Sequence, residues 1–68
     1  MAKPGDVYHD SEQNTHFMLE MELKIFDSYC IRMLTKSHHL YGQPLAMVDR
    51  EQLKQSRFTL VGRKAHIK

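Results

Sequence analysis

The sequence predicts an all-β fold of five short strands with one helical turn before the last, closed into a small barrel or two packed sheets. Three observations carry that prediction. Phe17, Leu19, Met21, Leu23 and Ile25 alternate with Glu20, Glu22 and Lys24, the period of a half-buried strand. A second alternation, Tyr29, Ile31 and Met33, follows Phe26-Asp27-Ser28, so the two runs read as a hairpin. Two further apolar runs, at 45–48 and 58–61, are separated by a helical-turn signal.

In chain order, Lys3-Pro4-Gly5-Asp6 is a turn signal that leads into a short strand at Val7-Tyr8. The wholly polar stretch His9 to Thr15 reads as a loop. The hairpin at 17–35 holds most of the large apolar side chains. Folded about Asp27, it sets Ile25 against Tyr29, Leu23 against Ile31 and Met21 against Met33 on the inward face, with Glu22 against Arg32 outside. Lys36 to Gln43 is a second loop, punctuated by Tyr41-Gly42 and followed by Pro44. Leu45 to Val48 suffices for one strand. Asp49 resembles a helix N-cap answered by Gln52, and Leu53 is the one apolar anchor of a turn at 50–55. Arg57 to Arg63 closes the series, with Phe58 and Leu60 inward and Gly62 marking its end or a bulge. Residues 64–68 form a polar tail.

A helical alternative exists for residues 16–37. Leu19, Leu23, Phe26, Cys30, Met33 and Leu34 follow helical spacing, and Leu, Met, Glu and Lys favour helix. It places Phe17, Met21 and Ile31 among charges and Asp27-Ser28 in mid-helix, so the strand reading is preferred.

The 68 residues are one domain, with a core small enough that partner binding or self-association is a natural source of added stability. The 41% hydrophobic and 26% charged content is that of a folded chain. A single cysteine, Cys30, excludes an intrachain disulfide and a cysteine-rich zinc site. The N-terminal MAKPGDVYHD has no apolar segment of the secretory kind, and no run approaches a membrane span, so a cytoplasmic location is expected and a membrane partner is not.

The net charge of +2 is unevenly distributed. Residues 1–30 carry two cations against six anions, net −4, and residues 31–68 eight against two, net +6. The asymmetry suggests an acidic partner for the second half, unless the halves interleave and the charges mix.

Gly5-Asp6-Val7-Tyr8, then a hairpin, Leu45 to Val48, a helical turn and Phe58-Thr59-Leu60-Val61 together resemble the Src-homology-3-like small barrels (SH3-like) of bacteriophages and mobile elements. The resemblance implies a five-stranded barrel and a phage or bacterial origin. The peptide-binding aromatic cluster of signalling domains of that type is not recognisable: Trp is absent, and Tyr8, Tyr29 and Tyr41 are scattered.

Catalysis is not expected. Cys30 in an apolar strand reads as a small hydrophobe, Glu20 and Glu22 as solvated carboxylates, and the three glycines are too dispersed for a phosphate loop. No cofactor or metal set is expected either, since His38 and His39, on an extended backbone, would point apart. Two binding sites are candidates. Met18 and Leu34, on the polar face of the hairpin beside Glu20 and Glu22, would offer a protein-binding patch. Lys36, His38, His39 and Tyr41 in one loop, with Arg57, Arg63 and Lys64 flanking the last strand, would track phosphates while Tyr41 stacks on a base. The function expected is that of a non-enzymatic adaptor or inhibitor acting on a protein partner, such as a host protein, with nucleic-acid binding as the alternative.

Overall fold

Residues 2–63 are described by the computed structural model; the expected tail, and Lys64 with it, lies outside them. The strands are β1 (Val7–Asp10), β2 (Thr15–Leu23), β3 (Ser28–Met33), β4 (Pro44–Asp49) and β5 (Phe58–Gly62), with 3-10 turns at Lys24–Phe26 and Gln52–Lys54. All neighbours are antiparallel, and the order across the sheet is β4-β3-β2-β1-β5. The fold is all-β, with the helical turn before the last strand, and the helical alternative for residues 16–37 does not occur.

One part of the barrel expectation needs correction. β4 and β5 end the strand order without pairing to each other, so the sheet is curled but open. The curl brings Val48 of β4 and Phe58 of β5 to a common groove of about 370 Å³ floored by Phe17, Ile31 and Met33. Gln52 and Arg57, from the segment that crosses between the edges, also line that gap. The curl accompanies three irregularities of register, at Val7/Tyr8, Leu19/Met21 and Cys30/Ile31. Each adds a residue to one strand and increases its local twist.

The core is small: Tyr8, Phe17, Leu19, Tyr29, Val48 and Leu53, with Ala2, Ile31 and Phe58 packed against it. Leu19 and Tyr29 have no exposed surface. Phe17 stacks on Tyr8 at 5.9 Å and meets Phe58 edge-on at 5.8 Å. The buried Tyr29 hydroxyl donates to the Ala2 carbonyl at 3.0 Å, tying the N-terminal segment over the core.

The β2–β3 hairpin departs from its expected register. Leu19 stands opposite Ile31, Met21 opposite Cys30 and Leu23 opposite Ser28, leaving Glu20 as the extra residue of a bulge. Side-chain direction has a period of two, so one inserted residue transfers everything after it to the other face. Phe17 and Leu19 therefore point inward, whereas Met21 is 55% exposed and Glu22 stands opposite the buried Tyr29. The turn is also longer than a tight turn about Asp27. A 3-10 turn covers Lys24–Phe26 and Asp27 closes it in the left-handed region, at φ 50°. Ile25, expected inside, is 87% exposed at the tip.

The stretch expected to be a loop at His9 to Thr15 is a turn at its centre and strand at its two ends. His9 pairs with His16 and Asp10 with Thr15, leaving only Ser11 to Asn14 as turn. The Asp10 carboxylate accepts the N–H groups of Glu12 and Gln13, which closes the turn, and Asn14 takes the left-handed conformation that asparagine tolerates. At the second 3-10 turn, half of the expected capping arrangement forms. The Gln52 side chain accepts the Asp49 N–H at 2.8 Å, but the Asp49 carboxylate accepts the Ser28 hydroxyl at 2.7 Å instead of capping. Leu53 is the buried anchor of that turn. In β5, Phe58 is half-buried and reaches the core, while Leu60 stays at the surface.

Candidate functional site

The charge asymmetry of the sequence is resolved inside the sheet. All six acidic residues of positions 1–30 pair with the four arginines of the second half. Asp6 meets Arg63, Asp10 and Glu12 meet Arg57, Glu20 meets Arg32, and Glu22 and Asp27 meet Arg50. The two halves interleave as β2 with β3 and β1 with β5, so sequence-distant opposite charges become neighbours.

Three of these clusters are built into the fold. Asp10, only 5% exposed, receives Arg57 through Nε at 3.1 Å and Nη2 at 2.6 Å, and Arg57 also lies 4.8 Å from the Phe58 ring centre. The hydrogen bonds from Arg57 hold the Asp10 carboxyl below its ordinary range, against the opposing effect of burial. Arg57 is correspondingly held above its own. Arg50 lies over the Tyr29 ring at 5.4 Å, donates to Glu22 at 3.0 Å and Asp27 at 2.7 Å, and so clamps the base of the β2–β3 turn. Arg32 donates to both carboxylate oxygens of Glu20 and to the Gly42 carbonyl, and Glu20 is held below the ordinary carboxyl range by it.

This pairing decides the fate of the expected sites. Lys36, His38, His39 and Tyr41 do share the loop between β3 and β4, where Lys36 and His39 are exposed and Tyr41 is 48% exposed. Arg57 and Arg63 adjoin β5, at the far end of the strand order, and are bound to Asp10 and Asp6. The loop is not extended: His38 and His39 stack at 4.6 Å, and the His38 Nδ1 accepts the Leu40 N–H. Among the described residues no group of three or more His, Cys, Asp and Glu is placed to hold a metal ion.

The expected protein-binding patch is also rearranged. Met18 is 7% exposed, opposite Val7 and Arg32, so it is no exposed anchor. Leu34 is half-buried, its N–H donated to the His16 carbonyl, and Glu20 and Glu22 are engaged by arginines. Further along the same hairpin Met21, Ile25 and Phe26 face solvent, the last 62% exposed, and Met47 on β4 and Val61 on β5 do so elsewhere on the sheet. The exposure of Met21 follows from the bulge at Glu20 and that of Ile25 and Phe26 from the 3-10 turn they occupy, neither of which the alternation alone reveals. A warning was present in the sequence, because Ile25-Phe26 are adjacent and cannot both point inward from one strand.

Ile25 and Phe26 therefore form a short apolar knob on a base held by Arg50, Asp27 and Glu22. Lys24 beside them is exposed. No helix among the described residues is long and apolar enough to cross a membrane. No family model matches the chain, and neither a curated protein nor a solved structure was found to be similar to it.

Proposed function

We propose that the chain is a small, cytoplasmic, non-enzymatic binding protein that engages a protein partner through the β2–β3 turn. It would act as an adaptor or inhibitor of the phage or bacterial kind suggested by the SH3-like resemblance. The observation that carries the reading is the knob itself. Ile25, at 87% exposure, and Phe26 gain nothing for the fold where they stand. Moving an aliphatic or aromatic side chain of this size out of water is worth about 1.5–3 kcal/mol, which an interface can recover. The Arg50 clamp supports the reading because a turn already held in place loses little freedom on binding. The engagement of all four arginines by carboxylates speaks against the nucleic-acid alternative, whose affinity rests on free cations.

The test is the Ile25→Ser/Phe26→Ser variant. Its unfolding midpoint is expected to correspond to a stability within about 1 kcal/mol of the parent, since neither side chain is in the core. A protein captured by the parent is expected to survive nuclease and raised salt, and to be lost, by about tenfold or more in affinity, with the variant. Capture of nucleic acid alone, released steeply by salt, would instead assign function to the Lys36–Tyr41 loop. Undiminished binding of the protein by the variant would remove the knob from the interface.

A further inference from the structure

The structure points to a divalent transition-metal site on the β1–β2 hairpin, and we propose that His9, His16 and Asn14 bind one ion such as Zn²⁺ or Ni²⁺. His9 and His16 are a directly opposed cross-strand pair, and their ring centres are 4.7 Å apart with the planes tilted by 43°. An ion about 2.0–2.1 Å from one nitrogen of each ring lies roughly 3 Å from each ring centre, so neighbouring ligand positions put the centres about 4.5–5 Å apart. The observed spacing falls in that range. Asn14, at the end of the turn, places Oδ1 3.1 Å from the His9 Nε2. Two donors each about 2.1 Å from one ion at a right angle stand roughly 3 Å apart, so this oxygen is at ligand spacing from His9.

The His9–Asn14 hydrogen bond needs a proton on Nε2. Ligation takes the neutral tautomer with its proton on Nδ1, and the ion then occupies the place of the shared proton, with no net change in protonation. A site of two imidazoles and one amide oxygen suits late divalent transition metals far better than Mg²⁺, which prefers carboxylate and water oxygens. His16 is exposed and His9 half-buried, so the ion has open access and its remaining positions go to water. The other histidine pair is less suitable. His38 and His39 stack within 20° of parallel, and His38 has committed Nδ1 to Leu40. A bound ion would cross-link β1 to β2 next to Asp10.

The test uses the full chain titrated with Zn²⁺, Ni²⁺ or Mg²⁺ alone. Zn²⁺ at ten times its Kd is expected to raise Tm by roughly 5–10 °C, and Mg²⁺ to leave it unchanged. His16→Gln is expected to weaken Zn²⁺ binding by about tenfold or more, and His38→Gln/His39→Gln to leave it intact. Asn14→Asp, which supplies a charged oxygen ligand at the same spacing, is expected to tighten it. Paramagnetic Ni²⁺ should broaden the amide signals of His9, Asn14 and His16 before any others. Broadening centred on His38 and His39 or on His66, Zn²⁺ affinity unaffected by His16→Gln, or no Zn²⁺ binding at all would each overturn the proposal.

Discussion

Leu19→Ala is expected to destabilise the protein by about 2–5 kcal/mol, the range for removing a fully buried leucine and leaving part of its cavity behind. Leu19 has no exposed surface and sits between Phe17 and Ile31, at the last inward position before the bulge. A chain of 68 residues has roughly 3–10 kcal/mol of stability in all, so the variant should lose a large share of it. Urea unfolding followed by circular dichroism checks the size of the loss. Ile25→Ala is the informative companion. Both residues belong to one uninterrupted alternation in the sequence, yet Ile25 is at the solvent-facing tip, so its truncation should change stability by only about 0.5 kcal/mol. Equal losses for the two variants would mean that Ile25 is buried like Leu19 and does not stand at the tip of the turn.

Asp10→Ala should cost about 2–3 kcal/mol, because it removes a buried acceptor that serves four donors. Two of those are Arg57 nitrogens and two are the Glu12 and Gln13 N–H groups that close the β1–β2 turn. Arg57 keeps its contact with Glu12, at 3.2 Å on the solvent side, which tempers the loss. The same pair predicts an acid limb of stability. The folded state holds the Asp10 carboxyl below its ordinary range, so folding favours the ionised form. That contribution is complete above the unfolded-state pKa and disappears as the pH falls through the lower, folded-state one. Plotted against pH, the urea midpoint of the parent should fall on this limb, and that of Asp10→Asn should fall less. Coincident acid limbs would show that the Arg57–Asp10 pair contributes no pH-dependent stability.

The strand content was readable because it depends on local patterns. The alternation from Phe17 onward, the Tyr29-Ile31-Met33 face, the 45–48 run, the Leu53 turn and the 58–61 run each announced an element that the fold contains. The polarity of His9 to Thr15 hid the strand positions His9, Asp10 and Thr15, because Asp10 is buried there only through its bonds from Arg57 and from the N–H groups of the turn. Which residues face solvent was not readable. Glu20 becomes the extra residue of a bulge only because β3 pairs on both sides of it, and that one insertion reverses every side chain as far as Leu23. The same holds for the charges. An acidic first half and a basic second half are evident in the chain, but whether they form two surfaces or one neutral network depends on which strands lie side by side. The antiparallel pairing of β1 with β5, which sets Val7 opposite Gly62 and lets Arg63 reach Asp6, is a long-range event. Local periodicity chose strand over helix. Strand order, the bulge, the long turn and the curl of the open sheet decided that the arginines pair with carboxylates of the fold and that Ile25 and Phe26 face solvent.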